Sequence, residues 1–272
     1  MLAQTVNVFP YAEDFENGQG NWTSGGSLSS WALGTPAAAV INTAAPGGTN
    51  SWATNLTGTF NGSEASFVES PPLDFSNLVA PALNLDVWWD SEFGWSATQV
   101  QTSNDGGTTW TTLGDNTTGV NWYNNDLTNG AGGTFFNGSG GDDSNWSGED
   151  LFNQGSGGWV TAAHELTGLA GQSNVRVRVV FGSDAVTGTD GFAFDNVLIG
   201  EGDDIQADSI MLSGQVCEGL VLPIQVRVCN VGLAEQSNFP VTIEVNGMPT
   251  TLTVVNPLAP GDCYTVIFNG AT

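Results

Sequence analysis

Two short acidic motifs lie near the ends of the first 200 residues, Asp14-Phe15-Glu16 and Asp190-Gly191-Phe192-Ala193-Phe194-Asp195-Asn196-Val197. In a closed β-sandwich the terminal strands are often neighbours, which brings Asp14, Glu16, Asp190 and Asp195 together. Hard oxygen donors in a chain without a single lysine favour calcium, which takes six to eight oxygens at flexible geometry. The competing reading is structural: Asp195 and Glu16 accept backbone hydrogen bonds at a sheet edge.

A second constellation, Asp86-Val87-Trp88-Trp89-Asp90-Ser91-Glu92-Phe93-Gly94-Trp95, alternates carboxylates with aromatic rings at the end of a strand. Arg176-Val177-Arg178-Val179 sets two guanidinium groups on one face of another strand. If the two segments face each other, the arginines either neutralise Asp86 or Asp90 and stack on Trp88, as ordinary sheet cross-links, or complete a polar face with aromatic platforms for sugar rings. Candidate ligand contacts are therefore Asp90, Glu92 and Trp95. Trp122, Tyr123 and Trp146 join them, because they stand singly in a polar, Gly-rich stretch. Rings so placed either meet a ligand or fold back into the core.

Catalysis has little support. The single histidine, His164, alternates within a strand pattern and lacks a nucleophile in a GxSxG setting, so it reads as a satisfied sheet histidine. Glycoside hydrolysis needs two carboxylates at a fixed separation, and an anionic chain offers many chance pairs. Ser103-Asn104-Asp105-Gly106-Gly107-Thr108-Thr109-Trp110 fits the Asp-box pattern S-x-D-x-G-x-T-W. There the Asp accepts hydrogen bonds from its own loop, glycines permit left-handed dihedrals and the Trp packs beneath, giving a rigid hairpin tip. One copy without a propeller repeat is no sign of a sialidase. No catalytic residue is assigned and the chain is expected to be non-enzymatic.

The elements that position these residues are strands. Long helical periodicity is absent, while β-branched and aromatic residues alternate in short runs between Gly, Asn and Asp clusters. The runs 67–70, 82–89, 97–102, 109–113, 159–166, 174–181 and 192–199 predict an all-β sandwich. The polar stretch 115–158 is too long for a simple connection and reads as a surface excursion. The 272 residues suit two domains. Residues 1–11 read as a signal remnant or N-terminal tail, 12–200 as the first domain, 201–206 as an acidic hinge and 207–272 as a second sandwich. In that second part Asn246-Gly247 predicts a tight hairpin turn. Five strands are countable there where about seven are needed, so the sandwich is expected to be incomplete. An unpaired edge of that kind invites a strand from further chain or from a neighbouring copy.

The net charge of −25, from 28 acidic residues against three arginines, makes nucleic acid an improbable partner, since neutralising phosphates supplies that affinity. No apolar run reaches the roughly 20 residues needed to span a bilayer, so no membrane insertion is expected. All three cysteines, Cys217, Cys229 and Cys263, fall in the last quarter. In an oxidising compartment one bridge is expected, with one thiol left over.

The motifs DFE, SSWALGTPA (29–37), NSWATNLTG (50–58), SPPLDFS (70–76), LDVWWDSEFGW, SNDGGTTW and GFAFDNVLIG, taken in order, resemble the MAM-like jelly-roll modules of large secreted Bacteroidota proteins. The resemblance covers nearly all of 12–200. It implies a β-sandwich of the kind that accompanies adhesins or secreted peptidases, with calcium at the DFE and FDN positions, here Asp14, Glu16 and Asp195. The chain departs from animal MAM domains in having no cysteine in this region, which argues against receptor-type dimerisation. VRVCNVG (226–232), FPVTIEVNG (239–247) and NPLAPGDCYTV (256–266) resemble the CARDB-type immunoglobulin-like repeats of bacterial adhesion proteins. The expectation is a secreted or cell-surface adhesion module that binds a glycan or another extracellular polymer, with structural calcium. The alternatives are a filament subunit joined by strand complementation and an accessory module of a secreted hydrolase.

Overall fold

The computed structural model describes residues 4–126, 144–186, 188–202, 205–212, 223–230, 232–259 and 262–269. The chain is all-β, and it forms two compact units, the first running to Gly200 and the second from Glu201. Among the described residues no helix is long and apolar enough to cross a membrane.

The first unit carries β1 (Tyr11–Glu13), β2 (Thr23–Ser27), β3 (Trp31–Gly34), β4 (Ser51–Thr54), β5 (Ala65–Glu69), β6 (Pro81–Asp90), β7 (Ser96–Ser103), β8 (Thr111–Thr112), β9 (Val160–Glu165), β10 (Arg176–Ser183) and β11 (Gly191–Glu201). Among the described residues one 3-10 turn, Asp150–Phe152, interrupts the strand pattern. One sheet has the order β3-β4-β11-β6-β9 with β1 added beside β11, and the other has the order β2-β5-β10-β7-β8. Successive strands pass repeatedly from one sheet to the other, a jelly-roll-like winding of two antiparallel layers.

Period-two patterning makes this sandwich. On β10, Val177, Val179 and Phe181 are buried while Arg176 and Arg178 lie on the opposite, partly open face. The centre is aromatic: Phe15, Trp22, Trp52 and Phe194 meet edge-on or tilted at centroid distances of 5.8–6.4 Å. Each such ring contributes about 1.5–3 kcal/mol on burial. Phe15 adopts a left-handed φ of 52°, costly for a bulky residue. Complete burial of its ring offsets that cost and turns the chain sharply between Asp14 and Glu16. β1 pairs with the far end of β11, Tyr11 against Ile199 and Glu13 against Val197, so the two acidic motifs meet on neighbouring strands.

The second unit has β12 (Ile205–Leu212), β13 (Ile224–Asn230), β14 (Phe239–Val245), β15 (Met248–Val254) and β16 (Cys263–Phe268), in a three-stranded sheet β12-β13-β16 and a hairpin β14-β15. Asn246 and Gly247, both at positive φ, form the two-residue turn between the paired Val245 and Met248. Val226, Val228, Ile243, Val254, Val266 and Phe268 make its core. Cys229 and Cys263 are directly opposed on β13 and β16 and form a disulfide. Cys217 lies outside the described residues.

Candidate functional site

The four predicted metal ligands are distributed rather than gathered at one point. The connection between β3 and β4 crosses the outer side of its sheet above Trp88, Ala53 and Ala193, with Ile41 packed beneath. Three carboxylates fasten it. Asp190, buried at the start of β11, accepts the Val40 and Ile41 amides at 2.5 and 2.8 Å. Glu16 accepts the Thr49 amide, the Thr49 hydroxyl and the Asn50 amide, each at 2.7 Å. Asp195 accepts the Ser51 hydroxyl at 2.8 Å and the Asn196 amide at 2.7 Å. Asp14 is exposed and accepts the Glu16 amide at 3.2 Å.

Of these, Glu16 and Asp195 influence each other electrostatically, and Asp86 joins them. Burial, followed by the nearby charges of Glu16 and Asp86, pushes the Asp195 carboxyl up to about 6. Hydrogen bonds from Asn50 and Thr49 hold Glu16 below its ordinary value. The chain offers no cation here: Arg176 pairs with Glu69, Arg178 packs elsewhere, and Arg227 pairs with Asp208 in the second unit. Glu16 and Asp195 spend their oxygens on protein hydrogen bonds, and among the described residues no group of three metal-ligating side chains is assembled. Asp190 is committed to the Val40–Ile41 turn and Asp14 is turned to solvent, so convergence of all four fails.

The aromatic candidates divide. Trp122, Tyr123 and Trp146 are buried, which corrects their reading as exposed platforms. Trp146 is enclosed by Trp122 at 5.1 Å, Tyr123 at 4.8 Å and Phe192 at 5.4 Å. Its indole donates to the Asn121 carbonyl, and the Trp122 indole donates to the Leu113 carbonyl. The Tyr123 hydroxyl donates to the Val100 carbonyl and accepts the Val100 amide, and burial pushes it far above its ordinary value. The described parts of the 115–158 stretch therefore do two things: Trp122, Tyr123 and Trp146 close the sandwich, while Leu151 and Phe152 stand on its surface. Residues 127–143 lie outside the described residues.

Trp95, unlike these three, is exposed. It sits on the turn that carries the chain from β6 in one sheet to β7 in the other, with 41% of its surface exposed, beside Phe93 at 39%. This β6–β7 turn is tied down: the Trp95 and Ser96 amides donate to the Glu92 carbonyl, and the Gly94 amide donates to the Ser147 hydroxyl. Ser91 exchanges backbone hydrogen bonds with Gly148, which delivers the Asp150–Phe152 turn beside it. Phe152 is 61% exposed. Asp90 is buried and does not face a ligand; it accepts the Asp150 amide at 2.9 Å and the Asp190 amide at 3.3 Å. Burial, with Asp190 and Asp150 close by, raises its carboxyl. Glu92 is half-buried and lies near Glu149, whose carboxyl is raised by burial and by Asp90 and Glu92. Phe93 and Phe152 were missing from the sequence candidates, although the adjacent carboxylates of SEFGW and GEDLF were a usable signal.

The arginines do not face Asp86 or Asp90, because they stand on the other sheet. Arg178 packs its guanidinium over Trp110 at 3.9 Å and Phe67 at 5.3 Å, and donates twice to Gln101. Desolvation lowers it to about 10. The Asp-box is formed as its pattern requires. Asp105 accepts the Ser103 and Thr109 hydroxyls and the Thr108 and Thr109 amides, which hold its carboxyl at about 2.

No protein-family model and no curated protein matches the chain. Solved structures do align with it. Two cleaved adhesin domains of Lys-gingipain from Porphyromonas gingivalis, each 14% identical, cover 71% of this chain and 99% and 98% of their own length, with TM-scores of 0.38 and 0.40. The module TmCBM61, in complex with β-1,4-galactotriose, is 11% identical over 70% of this chain and 94% of its own, with a TM-score of 0.38. At these distances the function has to be argued from the residues of this chain.

Proposed function

We propose that the first unit is a non-catalytic binding module of a secreted or cell-surface protein, holding a neutral glycan or another extracellular polymer at the β6–β7 end of its sandwich. One observation carries the reading. The exposed aromatic side chains of this unit, among the described residues, are Phe93, Trp95 and Phe152, and all three lie on two segments hydrogen-bonded to each other. Flat rings on a rigid backbone pack against the apolar faces of pyranose rings, while Glu92 and Glu149 are placed to accept hydrogen bonds from hydroxyls. The net charge of −25 disfavours an anionic polymer.

Calcium belongs to this proposal as a structural ion. Glu16 and Asp195 are its protein carboxylates, and its chemistry is to neutralise two acidic groups that no arginine reaches. A glycan array probed with the full chain and with Trp95→Ala tests the binding reading. Retention of neutral glycans by the wild type and their loss in the variant supports it; an empty array, or equal signals, overturns it.

A further inference from the structure

At the other end of β6, where Ala82 pairs with Glu165, the first unit holds a cleft of about 430 Å³. The extent of β6 separates it from Asp90 by about 26 Å at 3.3 Å per residue. Seven of its fourteen lining residues carry hydroxyls, including Thr109, Thr111, Thr112 and Thr118, and the chain's single histidine, His164, lines it with Asp115. The size falls within the range of small-molecule sites.

Its walls are preorganised. The Asp-box forms one wall, and its carboxylate already takes hydrogen bonds from its own turn, so the loop holds its shape without a ligand. The loop after β8 forms another. It is fastened to β9 by paired backbone hydrogen bonds between Val120 and Ala163 at 2.9 and 3.0 Å. Gly114 and Gly119, both at positive φ, let it lie directly on His164, since a Cβ at either position would come within 3 Å of the imidazole. The imidazole rests against Trp122 at 5.0 Å. Its Nδ1 donates to the Glu165 carbonyl at 2.6 Å, and Nε2 lies 2.9 Å from the Thr118 hydroxyl.

Thr111 and Thr167 lie open at this cleft, exposed on β8 and on the turn after β9. A concave, rigid site rich in hydroxyls, with one carboxylate and one imidazole and no arginine, matches a neutral polyhydroxylated ring in size and in hydrogen-bonding character. We propose that this cleft is a second binding site, for a single neutral sugar residue, and that it acts independently of the surface around Trp95. Two sites at opposite ends of one sandwich allow the module to engage two points of a polymer, or two polymers, at once.

His164 supplies its own reporter, because a chain with one histidine gives one imidazole signal. The full chain, labelled with carbon-13 at histidine, is titrated with methyl glucoside, methyl galactoside and N-acetylglucosamine, each to tens of millimolar. The expected result is a saturable shift of the imidazole resonance with at least one sugar. That shift should persist in Trp95→Ala and weaken at least threefold in affinity in Thr111→Val and Thr167→Val, whose side chains are exposed and whose loss leaves the fold intact. Absence of a saturable shift with all three sugars overturns the proposal. So does a shift that disappears in Trp95→Ala, or one that both threonine variants leave unchanged. Loss of glycan-array signal in Trp95→Ala bears on the Trp95 surface alone, so the two sites fail separately.

Discussion

The backbone amide of Asp150 donates to the buried carboxylate of Asp90 at 2.9 Å, and through that bond the turn carrying Phe152 is set beside the β6–β7 connection carrying Trp95. Asp90 also accepts the Asp190 amide, so one side chain ties β6, β11 and the 3-10 turn together. Asp90→Ala leaves two amides without their acceptor, at a cost of about 1–3 kcal/mol each if both stay buried. Urea denaturation should show a loss of about 2–6 kcal/mol for the two together, and Asp90→Asn, which keeps an acceptor oxygen, about half of it. Equal stability of Asp90→Ala and wild type would remove Asp90 from its positioning role.

The Asp195 carboxyl gives a pH signature with a definite sign. Its value in the folded chain, about 6, lies above the ordinary 3.8, so its contribution to stability is fully present below 3.8 and is lost as pH rises through 6. The loss is on the order of 2 kcal/mol. Glu16 acts in the opposite sense: its lowered carboxyl contributes stability above 4.5 that is lost as pH falls further. Asp90, Glu13 and Glu149 are raised like Asp195, so the comparison must be with Asp195→Asn. In metal-free buffer the variant should be the more stable protein at neutral pH, with a flatter profile between 4.5 and 7. A profile identical to wild type would contradict the buried-charge account.

Calcium should reverse that ranking. A ligand at a hundredfold excess over its Kd stabilises the native state by about 2.7 kcal/mol, which in a domain of this size raises the melting temperature by about 5–10 °C. Wild type should show this rise over chelator-treated protein and Asp195→Asn should not. Because the ion requires the ionised carboxyl, the rise should fade below pH 6. No rise in the wild type would leave Glu16 and Asp195 as fasteners of the β3–β4 connection alone.

Trp146 is predicted to matter for stability and not for recognition. Its ring is wholly buried among Trp122, Tyr123 and Phe192. Trp146→Phe should cost about 1–3 kcal/mol through the cavity it opens, measurable by denaturation, and leave glycan affinity unchanged in the folded fraction. Weakened affinity at unchanged stability would return Trp146 to the ligand surface.

Local pattern made much of this architecture readable. Alternation on β10 separated core valines from arginines, the Asn246-Gly247 turn announced its hairpin, and the Asp-box announced its geometry, because each depends on residues a few positions apart. The pairing of the terminal strands was legible for a different reason: the ends of a closed sandwich tend to pair, and β1 does pair with β11, although the four carboxylates of the two acidic motifs are not gathered at one point. What depended on distant packing was lost. Trp122, Tyr123 and Trp146 stand in polar, Gly-rich surroundings, yet they are carried into the core because Trp146 bridges to Thr98 and Val120 to Ala163, contacts that no local period encodes. The arginines meet Glu69, Gln101 and Trp110 rather than Asp86, Asp90 or Trp88, because period two tells which face a side chain takes but not which sheet its strand joins. Phe152 was overlooked since its exposure follows from the Asp90–Asp150 bond, 60 residues apart.

The most direct test of the binding account is the Kd of the strongest neutral glycan for wild type, Trp95→Ala and Phe152→Ala, measured by titration calorimetry alongside melting temperatures. The account predicts at least tenfold weaker binding for Trp95→Ala, equivalent to about 1.4 kcal/mol, a smaller loss for Phe152→Ala, and melting temperatures unchanged because both rings are exposed. An unchanged Kd in a folded Trp95→Ala protein would contradict it.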